Sequence, residues 1–269
     1  MPKAYVNGIN IDYKVQGQGE PLVLIMGYSG DKTGWIFQTR AFKRHFRLVT
    51  FDNRGVGKSD KPTGAYSVRM MADDTVGLME HLGIERAHIL GVSMGGMIAQ
   101  ELAINYPERV NKIILGCTAP GRSESSGISP EFPRALGLSN NYTDDEVRGL
   151  PVSKVVDSLL SSAFNKCIYR TLLIALAKIQ VRLIGKTGLV GQLEAVLGHD
   201  TFDRLPAIQA PTLVMMGTGD RIIMPSSSEV LANGIPGARL VKFEGGSHAF
   251  FIEMRGEFNR VVLDFLRGG

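Results

Sequence analysis

Six strongly apolar runs, separated by helix-like segments, constrain the fold of this chain more than any other feature. Most of them show no alternation of apolar and polar residues, which indicates strands buried on both faces, as in a parallel sheet covered by helices. Two alternating segments flank Asn7-Gly8, a pair that favours a β-hairpin. Together these segments predict an α/β fold with a mostly parallel eight-stranded sheet. The six runs are PLVLIMG (21–27), RLVTFD (47–52), AHILGV (87–92), KIILGC (112–117), PTLVMMG (211–217) and ARLVKFE (238–244).

Segments with helical periodicity lie between these runs. We expect helices over residues 67–82, 94–105, 226–233 and 250–266, where apolar residues recur at helical spacing. Strands that alternate with helices through short links favour a doubly wound sheet flanked by helices on both faces.

The alternation of strand and helix is interrupted once. Between about residues 119 and 205 no strand is predicted, and helices are expected over 152–164 and 167–184. This stretch is too long for a single crossover helix. We therefore predict a core domain formed by residues 1–118 and 206–269, with residues 119–205 inserted as a helical cap over the ends of the strands.

Composition and charge argue against several classes of partner. The net charge of +4 comes from scattered basic residues, so we expect no nucleic-acid partner. The apolar segments are too short to cross a bilayer and the first residues lack an apolar signal region, so we expect a cytoplasmic protein without membrane contact. Cys117 and Cys167 lack metal-ligand spacing, and we expect two free thiols and no metal.

Two glycine-rich segments resemble phosphate-binding loops but fail the pattern. GVGKS (55–59) would need a glycine at position 52, where the chain has Asp52. GKTGLVG (185–191) has no buried strand before it. We therefore expect no nucleotide and no other cofactor.

The segment Gly91-Val92-Ser93-Met94-Gly95 joins a buried strand to a helix. A serine between glycines in that context is the pattern of a nucleophile elbow, a tight turn in which larger neighbours would clash. The serine hydroxyl would then project above the helix N-terminus, where the Met94 N–H can stabilise an oxyanion. The alternative is that Ser93 serves only as a helix N-cap.

A serine nucleophile needs a base, and the base needs an orienting acid. His248 lies in the glycine-rich loop of FEGGSHAFF, after the last predicted strand, and Asp220 lies just beyond the strand at 211–217. Because the carboxyl ends of parallel strands lie at one edge of a sheet, we predict that Ser93, Asp220 and His248 form a catalytic triad.

The loop after the first parallel strand, IMGYSGDKTGW, is expected to supply a second oxyanion donor. We assign this role to the Tyr28 N–H, next to the flexible Gly27; Tyr28 could also line the substrate pocket. Trp35 is expected to pack beneath the loop. The alternative is that Gly27 and Trp35 line the pocket.

Several motifs resemble those of the α/β-hydrolase superfamily over essentially the whole chain. They are FDNRGVGKSDKP, GVSMGGMIAQELA, PERV, PTLVMMGTGD and GGSHAFF, and the order Ser93, Asp220, His248 is that of the family. Within it, the chain resembles small bacterial esterases of the 3-oxoadipate enol-lactonase and aclacinomycin methylesterase type. One departure is Met26-Gly27, where many relatives have His-Gly. The resemblance implies a cofactor-independent hydrolase whose cap shapes the pocket.

We therefore expect a serine hydrolase that acts on a small-molecule carboxylic ester or lactone. The same triad could cleave a carbon–carbon bond, as in meta-cleavage-product hydrolases, although those relatives often carry Asn where this chain has Val92. Perhydrolase or haloperoxidase-like activity uses the same residues. A ligand-sensing, receptor-like protein with a slow triad is the alternative from a different class.

Overall fold

The computed structural model describes residues 2–121, 160 and 186–268, and these residues build one eight-stranded sheet. Its strand order is β1-β2-β4-β3-β5-β6-β7-β8, with β3 to β8 parallel and β1 and β2 antiparallel. The predicted α/β fold with a mostly parallel eight-stranded sheet is thus confirmed. The strands are β1 (Lys3–Val6), β2 (Ile9–Gln16), β3 (Pro21–Ile25), β4 (Arg47–Phe51), β5 (Ala87–Val92), β6 (Val110–Gly116), β7 (Thr212–Gly217) and β8 (Arg239–Phe243).

The helices flank the sheet close to the predicted positions. Helix α2 begins after Ser67, whose side chain accepts a hydrogen bond from the Met70 N–H and so caps the helix. The segment predicted as one helix over 250–266 is two helices, because Met254 leaves the helical conformation (φ −107°, ψ 34°). The helices are α1 (Ile36–Phe42), α2 (Val68–His81), α3 (Met94–Asn105), α4 (Lys186–Leu197), α5 (Pro225–Gly234), α6 (Phe250–Glu253) and α7 (Arg255–Leu266).

The apolar runs of the central strands β3, β4, β5 and β7 are unbroken because these strands are buried on both faces, whereas the edge strand β8 is partly exposed. In β3, Val23 and Ile25 belong to one apolar cluster, whereas Leu22 and Leu24 belong to the cluster on the opposite face. Successive side chains of a strand point to opposite faces, so a strand covered on both sides needs apolar residues at every position.

The predicted cap lies mostly outside the described residues, including its helices at 152–164 and 167–184. Near the two ends of the predicted range, Gly121 and Asp200 form an isolated antiparallel bridge. Helix α4, inside the predicted cap range, is described and packs against the core. Among the described residues, no helix combines the length and apolarity needed to cross a membrane.

A buried ion cluster fixes the loop that follows β3. The Lys32 ammonium contacts Asp12 and lies 2.7 Å from Asp52 Oδ2, and all three side chains are buried. Burial disfavours the charged ammonium, but the hydrogen bonds to both carboxylates outweigh it and raise the pKa of Lys32. A raised lysine pKa stabilises the folded state at every pH below the unfolded value, and this contribution is lost only as the pH rises through the folded pKa.

We expect Lys32→Met to lower the free energy of unfolding at neutral pH by about 3 kcal/mol or more, because it leaves two buried carboxylates without their cation. Urea denaturation measures this. Lys242→Met is the control, because Lys242 pairs with Glu229 on the exposed surface and should change the midpoint little. Equal midpoints for the two variants would contradict the assigned role of Lys32.

Candidate active site

Ser93 occupies a strained backbone conformation between β5 and α3. Its φ of 55° and ψ of −126° lie where non-glycine residues are rarely found, and such strain persists only where the surroundings impose it. Here the Ser93 N–H donates to the Gly116 carbonyl (2.9 Å), and the Ser93 carbonyl accepts from Thr118 Oγ1 (2.8 Å). Ser93 remains partly exposed although its neighbours on both sides are buried.

The glycines around Ser93 allow three backbone segments to touch. A Cβ placed at Gly91 would lie 2.1 Å from the Gly95 carbonyl oxygen, and one at Gly95 would lie 2.1 Å from the Ile25 carbonyl oxygen. Both separations are far below van der Waals contact. The turn predicted from the Gly-x-Ser-x-Gly spacing therefore exists, and its tightness requires glycine at both positions.

His248 and Asp220 form a buried acid–base pair. His248 Nδ1 lies 2.8 Å from Asp220 Oδ2, and both residues are 6% exposed. The other carboxylate oxygen, Oδ1, accepts the N–H groups of Ile222 (2.8 Å) and Ile223 (3.1 Å). Since the hydrogen bonds from Ile222 and Ile223 occupy only Oδ1, Oδ2 is available to accept a hydrogen bond from His248 Nδ1.

The loops that carry Asp220 and His248 are joined by hydrogen bonds from backbone N–H groups. The Gly219 N–H donates to the Gly246 carbonyl (2.9 Å), and the Gly245 N–H donates to Thr218 Oγ1 (2.8 Å). A Cβ at Gly217 would lie 2.3 Å from the Gly246 oxygen, so the loops also touch. Since β5, β7 and β8 are parallel, Ser93, Asp220 and His248 all follow strands at the same edge of the sheet.

The other histidines lie elsewhere. His88 pairs with Glu20 (3.1 Å) but stands near the start of β5, about 16 Å along the strand from Ser93. His199 is buried, and this burial lowers its pKa to about 4, so its ring is neutral at physiological pH. His45 and His81 are exposed.

The loop after β3 approaches the serine at Gly27. A Cβ at Gly27 would lie 3.0 Å from Ser93 Cβ and 3.5 Å from Ser93 Oγ, so the backbone of this loop adjoins the hydroxyl. Tyr28 follows directly and is half-buried. On the other side of Ser93, Met94 is the first residue of α3, whose first N–H groups have no acceptor within the helix.

Trp35 is fully buried and packs against Phe251, with ring centroids 5.6 Å apart. Trp35 belongs to the same apolar cluster as Met26, the first residue of the loop after β3, beneath which it is expected to pack. Its proposed contribution to the pocket, together with Gly27, stays a prediction.

The residues that hold the loop after β3 are not among those predicted from the sequence. Asn53 Nδ2 donates to the Met26 carbonyl (3.0 Å), and Asp52 Oδ1 accepts the Lys32 N–H (2.9 Å). Gln192, from α4, accepts the Ser29 N–H (2.9 Å). The Asp-x-Arg-Gly segment was a visible signal for Asp52 and Asn53, but Gln192 is 163 positions from Ser29 and had none.

Cys117 follows β6 and is a buried free thiol, as expected. Burial raises the pKa of this thiol well above its ordinary value, and the nearby Asp220 carboxylate adds to the effect. A protonated thiol is a poor nucleophile. Cys167 lies outside the described residues. In the ranges 2–121 and 186–268, no group of three or more His, Cys, Asp or Glu side chains could hold a metal ion.

We expect Gly91→Ala to lower the free energy of unfolding by about 3 kcal/mol or more, because the added methyl group overlaps the Gly95 carbonyl. Thermal denaturation measures this. The control is Gly256→Ala in α7, where a Cβ meets no atom within 4 Å and where alanine favours the helix. A Gly91→Ala variant as stable as the Gly256→Ala variant would show that the elbow is not tight.

Known proteins are similar to this chain over most of its length. The family model described as alpha/beta hydrolase fold matches residues 20–254. A Caulobacter sp. (strain K31) protein named as a carbamate hydrolase, RutD, is 31% identical over 253 residues, 93% of this chain and 91% of the relative.

Two solved structures are also similar. The enol-lactonase from Burkholderia xenovorans LB400 has a TM-score of 0.87 and 29% identity, covering 99% of this chain and 100% of its own. A thermophilic esterase from Thermogutta terrifontis has a TM-score of 0.85 and 26% identity, covering 99% and 97%. With this fold, and with a family match that spans most of its length, the chain belongs to the alpha/beta hydrolase fold family.

Proposed function

We propose that this protein is a serine hydrolase that cleaves carboxylic esters or lactones through an acyl-enzyme on Ser93. The observation that carries the proposal is the buried His248–Asp220 pair (2.8 Å), at the edge of the sheet where the strained Ser93 also lies. An acid–base pair at the same edge of the sheet as a partly exposed serine supports nucleophilic catalysis.

In the first half of the reaction, His248 Nε2 takes the Ser93 proton as Oγ attacks the substrate carbonyl. The tetrahedral oxyanion accepts hydrogen bonds from the Tyr28 and Met94 N–H groups, which flank Ser93 on two sides. As the intermediate collapses, the imidazolium gives its proton to the leaving alkoxide, and the acyl group stays on Ser93.

In the second half, His248 removes a proton from water as the water oxygen attacks the acyl carbonyl. The second tetrahedral intermediate then breaks its bond to Ser93 Oγ, which takes the proton back from His248 as the acid is released. Asp220 keeps its charge throughout and stabilises the imidazolium. Its role depends on the fixed orientation of the carboxylate, which the Ile222 and Ile223 N–H groups support. The scheme needs only the side chains and backbone of this chain, together with water.

Ser93→Ala should lower kcat for p-nitrophenyl esters by several orders of magnitude, on the order of 10⁶ by comparison with a subtilisin triad. The fold should stay intact, because alanine only removes the hydroxyl. The variant should also lose labelling by a fluorophosphonate.

Ser67→Ala serves as the control, because it should lower stability without abolishing turnover. It removes the N-cap of α2, so it should cost about 1 kcal/mol of stability while turnover persists. Unchanged turnover by Ser93→Ala would refute the proposal. If the wild-type protein released a burst of one equivalent of product and then showed no further turnover, the ligand-sensing alternative would be favoured instead.

Carbamate hydrolysis is a second candidate, favoured by the 31% identical relative named as a carbamate hydrolase. Attack on a carbamate carbonyl would pass through the same kind of oxyanion, but it would leave a carbamoyl group on Ser93. Nitrogen donation makes that carbonyl less electrophilic, so a carbamate-specific pocket must offset a slower attack.

We expect kcat/KM to be higher for an ester than for an N-alkyl carbamate with the same p-nitrophenol leaving group. Lactones should be hydrolysed as well, with titration of the released acid as the measurement. A preference for the carbamate in this matched pair would assign the protein to the second candidate.

A further inference from the structure

Gln192 joins helix α4 to two loops of the core. It is fully buried, and its amide makes one hydrogen bond in each direction. Oε1 accepts the Ser29 N–H (2.9 Å), and Nε2 donates to the Arg54 carbonyl (2.8 Å). One side chain thus ties the loop after β3 to the turn after β4.

The bond to Ser29 restrains a strained position. Ser29 has a φ of 61°, in the left-handed region that serine rarely adopts, and it directly follows Tyr28. Its N–H belongs to the peptide group on the carboxyl side of Tyr28. Holding that peptide limits rotation about the Tyr28 backbone, and hence the direction of the Tyr28 N–H.

The other end of the bridge is rigid. Arg54 is buried and its guanidinium hydrogen-bonds both oxygens of Asp74, with 2.7 Å from Nη2 to Oδ1. Helix α4 also packs closely on the turn after β4, because a Cβ at Gly188 would overlap the Gly55 carbonyl oxygen. A Cβ at Gly191 would lie 2.8 Å from the Tyr66 ring. The two glycine-rich segments that resemble phosphate-binding loops therefore meet in one close contact.

We propose that Gln192 is a positioning residue for the oxyanion hole: it holds the Tyr28–Ser29 backbone in the conformation that directs the Tyr28 N–H at the developing oxyanion. The inference rests on the proposed function, since it assigns that N–H a catalytic role. Of the described contacts to this loop, Asn53 binds at Met26 and Asp52 binds at Lys32, whereas Gln192 binds next to Tyr28.

Loss of the hydrogen bond between Gln192 and the Ser29 N–H should raise the free energy of the transition state. Without an acceptor for its N–H, Ser29 can relax to a negative φ, which turns the preceding peptides. Substrate binding depends little on this, because the oxyanion forms only during the reaction. A lowered kcat with a nearly unchanged KM is the expected signature.

The experiment compares Gln192→Leu with Gln192→Glu and with the control Gln100→Leu, using p-nitrophenyl ester turnover. Gln100 is also fully buried and also bridges distant segments, through the Ala119 carbonyl (3.0 Å) and Thr201 (2.6 Å). It bonds the Gly96 carbonyl (3.2 Å) as well, and none of its described hydrogen bonds reaches the loop after β3. Gln100→Leu loses at least as many described hydrogen bonds as Gln192→Leu, so a general loss of stability should not affect Gln192→Leu more strongly.

Gln192→Leu should lower kcat at least about tenfold, and by less than the 10² to 10³ seen when an oxyanion donor is removed outright. KM for Gln192→Leu and kcat for Gln100→Leu should stay within about threefold of wild type. A Gln192→Leu kcat within that range, or equal losses in the two leucine variants, would overturn the inference.

Gln192→Glu tests the same bridge through the pH dependence of kcat, and it can replace the leucine variant if that variant does not fold. Its carboxyl group can accept from Ser29, but it donates to the Arg54 carbonyl only when protonated, which burial favours. The kcat ratio of this variant to wild type should therefore rise as the pH falls. A ratio that is low and independent of pH would overturn the inference.

Hydrogen exchange at the Ser29 amide separates this inference from the proposed function, because it needs no turnover. Faster exchange in Gln192→Leu than in Gln100→Leu supports the restraint, and equal protection overturns it. Persistent turnover by Ser93→Ala, in contrast, defeats the proposed function whatever the exchange experiment shows.

Discussion

The close contact of three backbone segments at the elbow governs the geometry around Ser93. Gly91 touches Gly95 across the turn, and Gly95 touches the Ile25 carbonyl at the end of β3. Side chains can change rotamer, but backbone segments in van der Waals contact can only move together. The loop that begins at Met26 therefore starts from a point fixed relative to the serine, which is why Gly27 adjoins the hydroxyl.

Much of this arrangement could be predicted from the sequence, because a parallel sheet turns chain order into spatial order. Apolar runs that lack alternation mark strands buried on both faces, and the residue after such a strand must lie at the carboxyl edge. Asp220 and His248 follow two of these runs, so their proximity was predictable without knowledge of their contact. The Asn7-Gly8 hairpin was predictable for a local reason, since both residues adopt positive φ.

Other features depend on contacts that leave no local pattern. Helix α4 contains Gly188 and Gly191, which lower helix propensity, yet these glycines permit the close packing on Gly55 and Tyr66 that stabilises the helix. The ion cluster of Lys32, Asp12 and Asp52 joins three separate segments. The break at Met254 interrupts a continuous apolar periodicity and reflects the non-helical φ and ψ of one residue.

The bonding between the loops after β7 and β8 has a consequence for how the site can vary. His248 and Asp220 are held by a shared set of backbone bonds and form one unit, whereas Ser93 belongs to a second unit built on β5, β3 and α3. The single strand β6 lies between them and is followed by Cys117, a non-glycine residue with a φ of 39°. The end of this strand is bonded on both sides, because the Gly116 carbonyl accepts the Ser93 N–H and the Cys117 N–H donates to the Met215 carbonyl of β7. The spacing between Ser93 and the His248–Asp220 unit is therefore set through one internal strand.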